Sequence, residues 1–267
     1  MRKKIVLGLA ILILISAVTL SFKIISDNRK SVSITSSSSI DYSPSNNKTT
    51  ELQNGSQSID VNGVKRDFIL YLPPNYSSSD SLALLFVFHG GGSDMASLQK
   101  GTKWDSIAAK ENFVVVYPNG INKNWNDGRL VEANIGKELG DDTTFVAQLN
   151  DYLLSSGKIN PNKVFVTGVS NGGFMSQKVA CDLTSRFAAI APIATAVSQT
   201  YLNDCKPSRQ MPIIWFEGTA DPLIPFNGGE LTNSLLGINQ SRGTVLSAEE
   251  SIKFWNQKND ARILTNH

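Results

Sequence analysis

The chain has 267 residues, 41% of them hydrophobic and 18% charged, which is enough apolar material to bury the core of one large domain. A formal net charge of +2 argues against a nucleic-acid-binding protein, because such proteins normally carry a clustered basic surface. Two cysteines and two histidines are too few and too far apart for a Cys/His metal cluster, so we predict no metal site and no cofactor.

The N-terminus has the pattern of an export signal. Arg2, Lys3 and Lys4 precede an uncharged, mostly apolar run over residues 5–22. Basic residues before an apolar run are typical of a signal peptide, and a run of this length also fits an uncleaved anchor. We therefore predict that residues 1–23 are a signal peptide or signal anchor, with residues 5–22 as a possible membrane tether. The remainder is then secreted or extracytoplasmic.

Residues 24–57 are predicted to form a disordered, serine-rich linker. They include four consecutive serines, Ser36 to Ser39, and show almost no apolar periodicity. Chains of this composition cannot bury enough apolar surface to fold and act as flexible spacers. The folded domain is therefore predicted to span residues 58–267.

The folded part begins with a predicted hairpin and continues as alternating strands and helices. Asn62–Gly63 separates two strand-like runs and is the dipeptide favoured in tight hairpin turns. Short runs that are apolar throughout are typical of parallel strands covered on both faces. The predicted fold class is α/β, a doubly wound and mostly parallel sheet with an N-terminal antiparallel hairpin. Strands are predicted at residues 59–61, 64–72, 82–88, 113–117, 164–169, 187–193 and 212–216, and helices at 95–110, 142–154 with an aspartate cap, 171–182 and 248–255.

Gly168-Val169-Ser170-Asn171-Gly172 fits the G-x-S-x-G pattern of a nucleophile elbow. The serine of such an elbow lies on a strained turn between a strand and a helix, and the glycines avoid collisions with neighbouring backbone. A predicted strand precedes the pattern and a predicted helix follows it, as the elbow requires. We therefore predict Ser170 as a nucleophile, with the N–H group of Asn171 donating to an oxyanion.

A second glycine motif, His89-Gly90-Gly91-Gly92, follows the predicted strand 82–88 directly. In esterases and lipases an HGGG loop of this kind lends a backbone N–H group to the oxyanion hole. The alternative is a phosphate-binding loop, but no Lys-Ser/Thr pair follows as a P-loop requires. We therefore predict His89, Gly90 and Gly91 as parts of an oxyanion loop, and His89 as a structural residue and not the general base.

Asp221 lies just after the predicted strand 212–216, where this fold places the acid that orients a catalytic histidine. The order in sequence, Ser170 before Asp221, also agrees with that role. The alternative is an ordinary Asp-Pro turn, because Pro222 follows.

The motifs together resemble the extracellular polyhydroxybutyrate depolymerase and feruloyl esterase family of α/β-hydrolases. The resemblance extends over about residues 58–258, nearly all of the folded part. The ordered motifs are HGGG at 89–92, YPNG at 117–120, WNDG at 125–128, DDTTF at 141–145, VFVTGVSNGG at 164–173, FAAIAPIA at 187–194 and GTADPLIPFNGG at 218–229.

This resemblance implies hydrolysis of carboxylic esters outside the cell through a Ser-His-Asp acyl-enzyme mechanism. The implied substrates are polyhydroxyalkanoates, or the feruloyl and acetyl esters of plant polysaccharides. By themselves, Cys181 and Cys205 are compatible with a disulfide or with two reduced thiols. The resemblance favours the disulfide.

The sequence departs from the family at two places. The late segment with the catalytic histidine, G-G-H-x-W-P-G, is not found, and Glu217 replaces the histidine of H-G-T-x-D. His267 follows Ser170 and Asp221 in the right order, but a terminal residue lacks the packing that holds a catalytic imidazole. We therefore expect a chain truncated at its C-terminus, without its last strand. The alternative function is an inactive, hydrolase-like surface binding protein.

Overall fold

The computed structural model describes residues 50–129, 140–233 and 238–260, which belong to one compact unit spanning residues 49–267. The predicted signal, most of the predicted linker and His267 lie outside the described residues. Within these ranges, no helix is both long and apolar enough to cross a membrane.

The domain opens with an antiparallel hairpin of strands β1 (Gly55–Val61) and β2 (Val64–Tyr71). Val61 pairs with Val64 across a two-residue turn, whose φ angles are 55° at Asn62 and 82° at Gly63. Asn and Gly tolerate this left-handed geometry better than other residues, so the turn can be tight. The predicted hairpin is confirmed.

The folded domain begins earlier than the predicted boundary at residue 58. That residue falls inside β1, which starts at Gly55, and Leu52 before it is buried in the core. The N–H group of Thr50 also donates to the carbonyl of Ser155 (3.3 Å). Leu52 and the start of β1 thus belong to the folded domain, although most side chains of residues 50–57 are exposed or half-buried. A single buried leucine in a polar stretch is too weak a signal to predict this.

Six strands of the described residues form one sheet, in the order β1-β2-β4-β3-β5-β6. Strands β3 (Leu82–Phe88), β4 (Val114–Pro118), β5 (Ile159–Val169) and β6 (Ala189–Ile193) are parallel, and β2 joins β4 antiparallel. The predicted mostly parallel sheet with a leading antiparallel hairpin is confirmed. Because β3 and β5 are neighbours in register, their carboxyl ends and the loops that follow them meet at one edge.

Both faces of the sheet are covered. Leu84, Phe86 and Phe88 of β3 lie in the large apolar cluster, whereas Leu85 and Val87 between them are buried outside that cluster. Successive side chains of a strand point to opposite faces, so both faces of β3 are shielded from water. This explains why β3 is apolar at every position instead of alternating.

Five helices are described. The predicted helix over 95–110 is two helices, because the chain leaves the helical conformation at Thr102 (φ −112°, ψ 168°) directly after Gly101, a poor helix former. Asp141 caps the third helix as predicted, with Oδ1 accepting from the N–H group of Thr144 (2.9 Å). The helices are α1 (Met95–Gly101), α2 (Trp104–Glu111), α3 (Asp142–Leu154), α4 (Asn171–Asp182) and α5 (Ala248–Lys258).

The predicted strand 212–216 lies parallel beside β6 but pairs with it only at isolated positions. Bridges join Ile190 to Ile213 and Ile193 to Phe216. Between them stands Pro192, which has no N–H group, so a regular ladder loses one hydrogen bond there. The segment still extends the sheet past β6 and carries the following loop to the same edge.

A second, two-stranded sheet was not predicted. Strands β7 (Gly229–Asn233) and β8 (Ile238–Val245) pair antiparallel, and their sequences GELTN and INQSRGTV are largely polar. Leu231 and Val245 are buried in a small apolar cluster with Phe174 of α4 and Ile224. Neither sequence contains an apolar run from which a strand could be recognised.

Candidate active site

Ser170 lies in the tight turn between β5 and α4. Its backbone angles are φ 55° and ψ −118°, a region that residues other than glycine seldom occupy. The N–H group of Ser170 donates to the carbonyl of Ile193 at the end of β6 (2.9 Å), and the carbonyl of Ser170 accepts from the N–H group of Phe174 (3.0 Å). These bonds hold the strained turn at the carboxyl edge of the sheet.

The glycines of the elbow allow backbones to cross at contact distance. A Cβ atom on Gly168 would lie 2.3 Å from the carbonyl oxygen of Gly172. A Cβ atom on Gly172 would lie 2.4 Å from the carbonyl oxygen of Phe88 and 2.5 Å from that of His89. Only hydrogen fits at either position, so the G-x-S-x-G spacing reflects the approach of α4 to the ends of β5 and β3.

The glycine loop after β3 lies directly against the elbow. A Cβ atom on Gly90 would be 3.7 Å from Cβ of Ser170, and one on Gly91 would be 3.6 Å from Cβ of Asn171. The structure therefore brings Gly90, Gly91, Ser170 and Asn171 together. The N–H group of Asn171 belongs to the first turn of α4, where a helix supplies no acceptor of its own.

His89 is completely buried and both of its ring nitrogens are engaged. Nε2 accepts from the N–H group of Gly120 (3.0 Å), and Nδ1 lies 2.9 Å from the carbonyl oxygen of Gly90. A neutral ring with its proton on Nδ1 satisfies both contacts, and burial lowers the pKa of His89, which favours that form. The ring thus fastens the glycine loop and is not placed to take a proton from Ser170.

Trp125 connects the glycine loop to the elbow. Its indole N–H group donates to the carbonyl of His89 (2.9 Å), and its ring packs against the His89 ring at a tilt of 39°, with centroids 4.9 Å apart. Its backbone N–H group donates to Oδ1 of Asn171 (2.8 Å). One buried residue therefore contacts both segments whose N–H groups are predicted to bind an oxyanion.

Asp221 lies on the loop after residues 212–216, at the same edge of the sheet. Its Oδ1 atom accepts from the N–H groups of Leu223 (2.8 Å) and Ile224 (3.0 Å), which fixes the orientation of the carboxylate. Within the described ranges, no hydrogen bond joins Asp221 to Ser170. In a Ser-His-Asp triad the histidine stands between them, so direct contact is not required.

Glu217 joins the loop of Asp221 to the end of β6. Its Oε2 atom accepts from the backbone N–H group of Thr195 (3.2 Å) and from the indole of Trp215 (3.3 Å). Among the described residues, its buried Oε1 atom has no hydrogen-bond partner. Burial raises the pKa of Glu217 to about 7, and the negative charge of Asp221 acts in the same direction.

The comparison with known protein families agrees with this geometry. A family model described as "Putative esterase" matches residues 59–265. The chain belongs to this esterase family. The esterase resemblance predicted from the sequence is thereby confirmed.

Two curated relatives are feruloyl esterases. Probable feruloyl esterase C of Aspergillus niger is 29% identical over 217 residues, which cover 78% of this chain and 73% of that protein. Feruloyl esterase B of Piromyces equi is 25% identical over 201 residues, covering 73% of this chain and 35% of that protein. This chain thus spans only about a third of the Piromyces protein's length.

The solved structure of a thermostable esterase superposes on this chain with a TM-score of 0.55 at 18% identity. The match covers 76% of this chain and 50% of the other. At this identity the likeness shows the fold alone. With the sheet order described above, it confirms the predicted α/β-hydrolase fold.

The disulfide that the resemblance implied is formed in this chain. Cys181, at the end of α4, is bonded to Cys205 after the short helix Gln199–Tyr201, with Cα atoms 4.9 Å apart. Both residues are buried. The bond fastens the helix that begins at Asn171 to the segment that follows β6.

Sequence reasoning missed the contacts that the WNDG segment makes. The sequence places Trp125 and Asp127 in a motif without indicating a role, yet both hydrogen-bond Asn171. The available signal was that the motif contains a carboxylate and an indole between two predicted oxyanion segments. Nothing in the sequence alone shows that a loop 46 residues before Asn171 folds onto its side chain.

Proposed function

We propose that this protein is a secreted or surface-tethered serine carboxylic ester hydrolase in which Ser170 is the nucleophile. The observation that carries the proposal is the backbone of Ser170, held at φ 55° between a strand and a helix and beside a loop of glycines. Strained residues of this kind cluster at active sites, where the surrounding structure imposes the strain. The N-terminus of α4 also favours negative charge developing next to Ser170.

In the proposed reaction, Oγ of Ser170 bonds to the ester carbonyl carbon while a histidine removes the hydroxyl proton. The N–H groups of the Gly90–Gly91 loop and of Asn171 donate to the resulting oxyanion. The carbon–alkoxide bond then breaks, and the alcohol leaves with the proton from the histidine. Water attacks the acyl-enzyme by the same route and releases the acid. Asp221 orients the histidine and stabilises its charged form.

The histidine of this mechanism is the one group that the described residues do not supply. His89 is buried with both nitrogens engaged, so it is unsuited to the role. The other histidine of the sequence, His267, follows Ser170 and Asp221 in the order typical of this fold. As a terminal residue His267 lacks the packing that holds a catalytic imidazole, so we leave the base unassigned and test His267 as the remaining histidine.

The substrate class that we propose is an ester of a phenolic acid linked to a plant polysaccharide. The support is the similarity to feruloyl esterase B of Piromyces equi and to probable feruloyl esterase C of Aspergillus niger. Leu223 and Phe226, which follow Asp221 on the same loop, are 45% and 36% exposed and offer apolar contact to an aromatic acyl group. Acetyl esters of polysaccharides and polyhydroxyalkanoates are the alternatives implied by the sequence motifs.

We also propose that the domain functions outside the cytoplasm. The basic residues 2–4 and the apolar run 5–22 support export, and the disulfide between Cys181 and Cys205 is of the kind that persists in oxidising compartments. Fractionation of a producing cell tests this, since recovery of the mature domain from the cytoplasm with free thiols would contradict export.

A fluorophosphonate probe tests the nucleophile. We expect the label on the peptide that contains Ser170. With His267 acting as the base, Ser170→Ala should lower hydrolysis of p-nitrophenyl acetate by about 10³-fold or more. Labelling of a peptide without Ser170 would overturn the assignment. Equal hydrolysis by the unmodified chain and by His267→Ala would dismiss His267 as the base.

A substrate panel of methyl ferulate, acetylated xylan and polyhydroxybutyrate then separates the ester classes, with Ser170→Ala as the blank. We expect methyl ferulate to give the highest kcat/KM. Binding of feruloylated xylan with hydrolysis no faster than the blank would instead identify an inactive binding protein.

A further inference from the structure

The side chain of Asn171 is fully occupied by the WNDG loop. Its Oδ1 atom accepts from the N–H group of Trp125 (2.8 Å), while its Nδ2 atom donates to the carbonyl of Trp125 (3.2 Å) and to Oδ2 of Asp127 (2.5 Å). Asn171 and Asp127 are buried, at 6% and 5% exposure. A carboxylate can only accept, so Asp127 requires the Nδ2 end of the amide and excludes the flipped orientation.

Asp127 is itself held rigidly by Arg129. The Arg129 Nε atom lies 2.9 Å from Oδ2, a terminal nitrogen lies 2.6 Å from the same oxygen, and the Arg129 backbone N–H group donates to Oδ1 (3.1 Å). The guanidinium group in turn lies over the ring of Phe174 on α4, 4.0 Å from its centroid. The contacts therefore lead from Asn171 through Asp127 and Arg129 back to α4. They return at Phe174, within one turn of Asn171.

The negative charge of Asp127 is balanced by the positive charge of Arg129. An unpaired carboxylate bonded to the side chain of Asn171 would oppose the proposed oxyanion, because like charges repel. The side chains of Arg129 and Asp127 are 9% and 3% exposed, so their ion pair is poorly screened by water and its two charges offset each other locally. Asp127 can thus supply orientation without adding net negative charge.

We propose that Asp127 is a positioning residue for the oxyanion hole: its bond to the side chain of Asn171 fixes the direction of the Asn171 N–H group. This inference rests on the proposed function, because it needs Ser170 to be the nucleophile and an oxyanion to form beside Asn171. A donor must point at the place where the oxyanion forms, and loss of one such donor costs about 10²-fold or more in kcat. Removing Asp127 should only misalign this donor, so we expect a smaller loss of kcat than removing the donor itself would cause.

The test compares Asp127→Ala and Asp127→Asn with the unmodified chain, by the rate of fluorophosphonate labelling of Ser170 and by kcat and KM on p-nitrophenyl acetate. We expect Asp127→Ala to lower both kcat and the labelling rate by about tenfold or more, with KM changed less than about threefold. Asp127→Asn keeps an acceptor oxygen for Asn171 and should recover most of the loss. Asp151→Ala breaks another aspartate–arginine pair, with Arg186 on the outer surface, and should leave both rates unchanged.

Asn171→Ala provides the second measurement. It keeps the backbone N–H group but removes the side chain through which Asp127 is proposed to act, so it should reproduce the loss seen with Asp127→Ala. Adding Asp127→Ala to it should then change the rate by less than about twofold, because residues that act as one unit are not additive. Asn171→Ala also keeps the proposal testable if Asp127→Ala does not fold.

The outcomes separate the two proposals. Labelling of Ser170 at the same rate in the unmodified chain, Asp127→Ala and Asn171→Ala overturns the positioning role and leaves the serine mechanism in place. Fully additive losses in the double variant also overturn it, since Asp127 would then act elsewhere. A chain that the probe does not label at Ser170 overturns the proposed function, and the inference with it.

Discussion

Burial decides the protonation state of two residues at this site more than their residue type does. His89, which titrates near neutral pH in water, is kept neutral by burial and fixes a loop. Glu217, normally ionised at neutral pH, retains its proton up to about pH 7 because it is desolvated beside Asp221. Glu217 stands where the resembling family has a histidine, and its bonds to Thr195 and Trp215 show that it holds together the ends of β6 and the 212–216 segment.

Glu217 should make the stability of the domain fall as pH rises. Its pKa is about 7 when folded against an ordinary value of 4.5, so between these values the folded state holds a proton that the unfolded state has lost. The stabilisation is complete below about pH 4.5 and is lost as pH rises through about 7. Glu217→Gln keeps an oxygen that can accept from Thr195 and Trp215 but cannot ionise. We expect its Tm to fall less than that of the unmodified chain between pH 5 and 8.

Thermal unfolding across that pH range measures the difference. Asp142, whose pKa is raised to about 6 by burial, contributes equally to both proteins and cancels in the comparison. Parallel Tm curves for Glu217→Gln and the unmodified chain would show that Glu217 ionises normally in the folded state.

At the level of elements, one buried ion pair fastens the first half of the fold together. Arg66 of β2 binds Asp142 at the start of α3 (2.5 Å), and the side chains are 3% and 0% exposed. The other carboxylate oxygen of Asp142 accepts from the N–H group of Asn126 (2.7 Å), and Arg66 also lies over the ring of Phe145. The leading hairpin, α3 and the WNDG loop therefore meet at a single carboxylate.

Arg66→Met should strongly destabilise the domain. It leaves Asp142 buried without its countercharge, which typically costs about 3–5 kcal/mol in the free energy of unfolding. Lys65→Met is the matched control, because Lys65 lies one position earlier on the same strand and is 75% exposed, with only a 4.0 Å contact to Asp67. We expect a change of less than about 1 kcal/mol there.

Urea denaturation of both variants measures these differences. Adding Asp142→Leu to Arg66→Met should recover part of the loss, because the unpaired buried charge is gone while the bond to Asn126 is not restored. Equal midpoints for Arg66→Met and Lys65→Met would show that the buried pair does not stabilise the fold.

At the scale of the whole molecule, the disulfide lies at the end of α4 that is opposite the proposed active site. The disulfide between Cys181 and Cys205 closes a segment with a sequence separation of 24 and ties the end of α4 to the region after β6. The apolar core around it supports the same helix, since Val179 and Ala180 are buried in the large cluster. The helix whose first residue is Asn171 is thus held at both of its ends.

Replacing both cysteines with serine should lower the free energy of unfolding by about 3 kcal/mol, because a closed loop of this length restricts the unfolded chain. The labelling rate of Ser170 well below the Tm should change little, since the elbow at the other end of α4 keeps its own contacts. Denaturation with and without a reductant measures the first effect, and probe labelling measures the second. A large loss of labelling in a still-folded variant would show that the disulfide sets the site geometry.

The sequence by itself determined the parts of this protein that depend on local physics. The Asn62–Gly63 hairpin, the apolar parallel strands, the Asp141 cap and the elbow around Ser170 each follow from neighbouring residues, because turn geometry, strand burial and helix capping are set within a few positions. The esterase family followed as well, since several such motifs occur in one order. Predictions from local patterns were nevertheless incomplete. They did not include the helix break after Gly101, the missing backbone hydrogen bond at Pro192 or the polar hairpin of β7 and β8.

Only the tertiary structure decided which distant groups meet. It placed Gly90 against Ser170, enclosed His89 so that its imidazole became a structural group, and folded Asp127 and Arg129 onto the helix of the nucleophile. Contacts between segments tens of residues apart arise from the order of strands in the sheet and from packing. No periodicity or spacing in the sequence encodes them directly. The nucleophile could therefore be found from a pattern of five residues, whereas the contacts that orient its neighbours could not.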